Sequence, residues 1–276
     1  MEYVLTTEAL CKQYKKSKAL DELCMHIPKG AIYGFVGKNG AGKTTLIRMI
    51  CGLSKPTAGS YTLYETDSEA KEIVTVRKNI GAVVETPALS LDMTAEENMR
   101  QQYRILGLSS FDGIKELLAL VGLENTGKKK VKAFSLGMKQ RLGIAMALAG
   151  EPDFLVLDEP TNGLDPQGII ELRELILKLN HEKGITFLIS SHILDELSRI
   201  ATHYGIINHG KMIKEFSAQE LEKECGKYIN IRAEISDADA LTRALDDLGI
   251  RYEIISEKEK SLENYFISLV GGEDNA

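Results

Sequence analysis

The sequence predicts an α/β fold: a parallel sheet built around a phosphate-binding loop, with an inserted helical block and a small α+β appendage. Three observations carry this. An apolar run over residues 33–36 leads into residues 37–44, GKNGAGKT, which satisfy G-x-x-x-x-G-K-[ST]. Short continuous apolar runs at 154–157 (FLVL), 185–190 (ITFLIS) and 204–208 (YGIIN) read as strands buried on both faces. Helix-compatible stretches lie between them, and strands alternating with helices indicate a parallel sheet.

The elements follow in order. Residues 3–32 alternate apolar and polar groups and predict two or three strands before the loop. TTLIRMICGL (44–53) continues the loop as a helix. SKPTAG (54–59) is a turn, YTLY (61–64) a short strand, and IGAVVE (80–85) a strand that ends on Glu85 and is stopped by Pro87. Residues 91–150 change character. Thr94 and Glu97 form a T-x-x-E capping box for a helix through Leu106. Asp112 caps a second helix over 113–122, and Ser135 opens a third that runs to about Ala149. Further helices are expected at 168–182 and 193–202. Near Gly226 the composition shifts: 228–235 and 252–255 read as strands, 240–250 and 261–270 as helices. The expected division is a core over 1–222, with its helical subdomain at about 88–150, and an appendage over 223–276.

Composition narrows the function. A 276-residue chain with 43% hydrophobic residues can bury a sizeable core, and its net charge of −6 argues against a broad nucleic-acid-binding face. No apolar run approaches the ~20 residues that cross a bilayer. MEYVLTTEAL has no basic stretch before an apolar core, so no signal peptide is expected. Four cysteines without C-x-x-C spacing read as free thiols in a reducing cytosol, and five scattered histidines form no metal cluster.

The chemistry begins at the loop. Gly37, Gly40 and Gly42 let the backbone turn its N–H groups onto phosphate oxygens, with Asn39 and Ala41 between them, and the positive end of the next helix adds to that field. Lys43 should reach the β- and γ-phosphates, and the Thr44 hydroxyl, followed by Thr45, should bind Mg²⁺. Asp158 ends a buried strand near that ion, and Glu159 can orient and deprotonate an attacking water. TNGLDPQG (161–168) follows at once, FSLGMKQR (134–141) opens a helix upstream, and SSH (190–192) follows the next strand.

That order of motifs resembles the ATP-binding subunits of ABC transporters over roughly residues 1–220. The resemblance implies a P-loop NTPase core, a RecA-like parallel sheet with antiparallel strands at its N-terminal side. It implies ATP and Mg²⁺ as ligands, with Tyr14 stacking on adenine, although Tyr14 by itself also reads as a core aromatic. Ser135 and Gly137 match positions that contact the γ-phosphate bound by the other subunit. Gly163, Leu164 and Asp165 match the D-loop, and His192 the switch histidine. Two departures stand out. The signature reads Phe134-Ser135-Leu136-Gly137-Met138 where LSGGQ is usual, and Glu85 stands where Gln is usual, as a nucleotide-site residue and a further metal contact. The Glu85 variant resembles bacterial exporters of lantibiotic or bacitracin-like peptides.

The implied activity is hydrolysis of ATP to ADP and phosphate, with Glu159, His192 and Lys43 catalytic, coupled to transport through a membrane-spanning permease. The second ATPase subunit is expected to be another copy of this chain, and no nucleic acid is involved. The chain should be cytoplasmic and peripheral on the inner membrane face, with residues 85–99 as the docking surface. KKKVK (128–132) reads as a solvated loop, with phosphate or lipid attraction as the alternative. Two other functions remain open at this point: a soluble ATPase of the same type acting on a partner such as the ribosome, and a regulatory module without turnover.

Overall fold

The computed structural model describes residues 2–225, together with 243–245 and 247. The chain divides into two compact units, Met1–Ala218 and Gln219–Ala276. The expected elements at 228–235, 252–255 and 261–270 lie outside the described residues; within 240–250, residues 243–245 and 247 are helical.

Two long strands, β1 (Tyr3–Tyr14) and β2 (Ser17–Pro28), precede the loop strand β3 (Ile32–Val36). The loop then opens α1 (Lys43–Ile50), and β4 (Ala58–Leu63) returns to pair with β1. The turn expected over 54–59 therefore stops at Thr57, because Ala58 already pairs with Cys11. A two-residue strand β5 (Thr66–Asp67) completes an antiparallel sheet in the order β2-β1-β4-β5. Its buried face, with Leu5, Leu10, Leu23 and Met25, packs with Leu46, Ile47, Met49 and Ile50 of α1 in one core.

A short α2 (Ile73–Val76) leads to β6 (Ile80–Val83). The helical block follows as α3 (Ala95–Ile105), α4 (Ile114–Leu120) and α5 (Leu136–Leu148). The capping box is complete: Glu97 N donates to Thr94 Oγ1 at 3.2 Å and Thr94 N donates to Glu97 Oε2 at 2.7 Å. Asp112 does not cap α4. Gly113 is the cap residue, and the Asp112 amide is instead turned back onto Ser110 Oγ at 3.1 Å, which puts a local turn where the cap was expected. The lysine run is solvated and partly paired: Lys130 meets Glu97 at 3.2 Å and Lys132 meets Asp92 at 2.8 Å.

The chain returns to the sheet with β7 (Phe154–Asp158), α6 (Pro166–Lys183), β8 (Thr186–Ser191), α7 (Leu194–Ser198) and β9 (His203–Asn208). Helix α7 is shorter than the expected 193–202, because Ile200 and Ala201 N–H groups close on Leu197 O and Thr202 N bonds to Ile32 O, feeding β9. A strand not foreseen, β10 (Lys211–Ser217), folds back on β9 across His209 and Gly210, both with positive φ, as a tight hairpin turn demands. Helix α8 (Ala218–Cys225) closes the continuous stretch. The second sheet runs β10-β9-β3-β8-β7-β6, parallel except at the β10 edge. The C-terminal ends of β3, β8, β7 and β6 lie side by side, the edge at which open α/β sheets bind ligands.

Candidate active site

Backbone shape comes first. Gly42 has φ +114, and a Cβ there would be driven into the Ala19 carbonyl oxygen; a Cβ on Gly37 would sit 2.5 Å from Ile207 O. Only glycine permits this tight wrap, which leaves Lys38, Asn39 and Gly40 exposed at the loop's tip and buries Ala41 behind it. Lys43 opens α1 and is 5% exposed. Its Nζ folds back across the loop, donating to Gly37 O at 2.6 Å and to Lys38 O at 3.3 Å. Thr45 follows half-buried. A glycine-rich loop and one ammonium thus stand at the N-terminus of α1, an arrangement suited to polyphosphate.

The acid side comes from β7. Asp158 is 1% exposed, and both carboxylate oxygens are used: Thr44 Oγ1 donates to Oδ2 at 2.8 Å, and Ser190 Oγ donates to Oδ1 at 2.6 Å. The pair of β7 with β8 places Asp158 beside Ser190, which explains the second contact. Ser190 Oγ also accepts from Glu159 N at 2.9 Å. Thr44 and Asp158 thus bring two hard oxygen donors together, which suits Mg²⁺, an ion bound through one or two carboxylates plus phosphate and water. Among the described residues no set of three or more His, Cys, Asp or Glu forms a closed metal cage.

Glu159 leaves the strand with φ +48. Its Oε2 lies 2.7 Å from His192 Nδ1. Its Oε1 is buried and lacks a hydrogen-bond donor, while Lys43 Nζ stands 3.1 Å away. The ammonium is near enough to attract the charge, but its hydrogen bonds are directed to the loop carbonyls. Glu159 is thus held between Lys43 and His192 beside the loop, where a carboxylate can serve as a proton acceptor.

The remaining expected residues divide. Tyr14 ends β1 at 47% exposure with Lys12 Nζ over its ring, 5.1 Å from the centre, so it is not a core aromatic. Glu85 is not held by Thr44 or Asp158; its Oε1 accepts from Arg48 Nη2 at 2.6 Å. Ser135, Gly137 and Asp165 form a second cluster. Ser135 Oγ caps α5 by accepting from Met138 N at 3.2 Å, and Asp165 caps α6 by accepting from Gly168 N at 3.1 Å. Leu136 reaches toward Gly163, where a Cβ would meet it at 2.9 Å, and Gly137 faces Leu164. Two functional contacts escaped the sequence reading. Ser190 was visible only as the first residue of SSH, and Arg48 only through its i+4 spacing from Thr44 on one helix face.

Comparison with known proteins adds the following. The sequence profile of the ABC transporter family matches residues 20–162. The chain is 40% identical to the bacitracin transport ATP-binding protein BcrA of Bacillus licheniformis, over 99% of each chain. It is 44% identical to the lantibiotic transport ATP-binding protein SrtF of Streptococcus pyogenes, over 79% of this chain and 93% of that one. Among solved structures, cbiO1 of Clostridium perfringens, part of an ABC transporter complex, matches with TM-score 0.72 and 29% identity over 81% of this chain and 92% of that one. A dimeric ATP-binding cassette in a post-hydrolysis state bound to ADP and Pi matches with TM-score 0.70 and 25% identity, over 78% and 98%.

Proposed function

Because this chain belongs to the ABC transporter family, we propose that it is the ATP-hydrolysing subunit that powers export of a peptide antibiotic of the bacitracin or lantibiotic kind. The family's ATP-binding domain binds and hydrolyses ATP to drive transport. The observation that carries the finer reading is full-length likeness to a bacitracin transport ATP-binding protein. The ribosome-directed alternative draws no support from the relatives named above.

The residues divide the work as follows. The loop amides and Lys43 bind the β- and γ-phosphates, and Tyr14 stacks on the adenine. Thr44 and Asp158 would hold Mg²⁺, which would supply positive charge to offset that of the phosphates. Glu159 takes a proton from the attacking water, and His192, 2.7 Å from its Oε2, fixes the carboxylate's orientation and stabilises charge on the transferred phosphoryl. Ser135 and Gly137, at the N-terminus of α5, close over the γ-phosphate held by a second copy of the chain. ATP then joins two subunits, and hydrolysis lets them part.

No helix among the described residues is long and apolar enough to cross a membrane. We assign the membrane-spanning work to a permease that docks on residues 85–99 and keeps the chain on the cytoplasmic face. A groove of about 460 Å³ supports this surface; it lies between β6 and the helical block and is lined by Val84, Pro87, Asn98, Ile105 and Met146 among others.

The test is a tagged pull-down from gently solubilised membranes, combined with peptide-antibiotic susceptibility of a strain lacking the chain. An integral membrane protein recovered in near-equal amount and increased sensitivity to bacitracin or a lantibiotic are expected. Recovery of ribosomal proteins, or unchanged sensitivity to both peptide classes, would overturn the assignment.

A further inference from the structure

Two acids leave neighbouring parallel strands in the left-handed conformation. Strands β6 and β7 pair as far as Val83 beside Leu157; β6 ends there, and Glu85 follows Val83 by two residues as Glu159 follows Leu157. Glu85 has φ +61 and Glu159 has φ +48. Each acid has its own cation, and both cations come from α1: Lys43 stands 3.1 Å from Glu159, and Arg48 stands 2.6 Å from Glu85. Asp158 accepts from two hydroxyls, those of Thr44 and Ser190. Three carboxylates therefore gather at the edge where an anionic polyphosphate binds.

Arg48 has an obvious structural duty, since a cation in the last turn of a helix offsets its dipole. That duty is shared. Arg77 Nε donates to Ile50 O at 3.1 Å, and the Leu53 and Ser54 amides close on Arg48 O. The Arg48 guanidinium is left to engage Glu85.

We propose that Arg48 is a positioning residue for Glu85: it draws the carboxylate along α1, about 6 Å of helix rise beyond Thr44, and so limits the negative charge that the nucleotide phosphates meet. This rests on the ATP-binding reading of the same site. The pair is half exposed, at 46% and 55%, and exposed pairs of this kind are weak. Arg48 thus restrains Glu85 without locking it.

The experiment measures ATP binding to the purified full chain, with divalent metal chelated, for the parent, Arg48→Gln, Arg48→Lys, Glu85→Gln and the double variant Arg48→Gln/Glu85→Gln. Arg48→Gln should weaken binding about three- to tenfold, a size set by one uncompensated charge near a polyanion in a partly solvated site. In the Glu85→Gln background the same change should cost less than about twofold, and Arg48→Lys should bind like the parent within about twofold. The loss should shrink at high salt. Equal losses in both backgrounds would show that Arg48 acts through its own charge alone and would overturn the proposal, as would no loss at all. Should Arg48→Gln fail to fold, Glu85→Gln decides: near-parent affinity is expected, and several-fold tighter binding would show that Glu85 is not held away. A parent chain that binds no ATP would overturn the reading of the site itself.

Discussion

Replacing Glu159 with Gln changes one atom and removes one charge, so its consequences can be worked through from the geometry. The amide keeps the shape of the carboxylate, and its oxygen can still accept from His192 Nδ1, which now lies 2.7 Å from Oε2. The amide that replaces the carboxylate no longer accepts a proton from water. General-base catalysis is worth roughly 10²–10⁴-fold, so turnover should fall by that factor, a rise of about 3–5 kcal/mol in the barrier. Binding should respond in the opposite direction. Lys43 loses the carboxylate at 3.1 Å but keeps Gly37 O and Lys38 O, and it is freed to serve phosphate. Removing a negative charge beside the γ-phosphate should tighten ATP binding and prolong the two-subunit state. Phosphate release gives the first quantity, and size-exclusion chromatography with and without ATP gives the second. A folded variant whose turnover stays within about tenfold of the parent would refute the role given to Glu159.

Other perturbations probe the scaffold. Gly42→Ala forces a side chain into φ +114 and against Ala19 O; ATP binding should be lost, and the backbone strain alone should lower unfolding stability by about 1–3 kcal/mol in urea titration. Thr94→Ala removes the cap of α3 and should cost about 0.5–2 kcal/mol of stability while the ATP affinity of the loop is unchanged. Burial pushes the Cys51 thiol from its ordinary 9.0 up to about 12 and the Tyr204 hydroxyl from 10.0 up to about 12. The unfolded chain releases these protons first, so their stabilisation is complete below about pH 9 and is lost as pH rises toward 12. The thermal midpoint should fall across that window, and Cys51→Ala should move the start of the fall toward pH 10. By the same cause Cys51 should alkylate far more slowly at neutral pH than exposed Cys24.

Features governed by local rules were legible in the chain. The loop from Gly37 to Thr44 announces its strand, its wrap and its helix in eight residues, and Thr94 with Glu97 specifies a helix start by side-chain chemistry alone. The buried runs at 154–157 and 185–190 could be read because a parallel strand covered on both faces is a nearly continuous apolar stretch. Asp112 misled because a capping residue and a turn residue are chemically the same, and the Ser110 hydroxyl decides between them. Strand β10 escaped notice because KMIKEFS is a partly exposed edge with charges on it, although His209 and Gly210 carried the hairpin signal. Arg48 and Ser190 act across residues distant in sequence, Arg48 on Glu85 and Ser190 on Asp158, and no spacing rule reports such contacts.

The left-handed exits at Glu85 and Glu159 also govern how mutagenesis here must be interpreted. A β-branched residue at either position would resist that backbone conformation whatever its charge, whereas Asn and Gly enter it readily. Inactivation by Val or Ile at these two sites would therefore report a misdirected chain and say nothing about proton transfer. Tolerance in a saturation library should rank by backbone preference as well as by acidity, with Asn and Gly preserving the fold of the turn even where activity is gone.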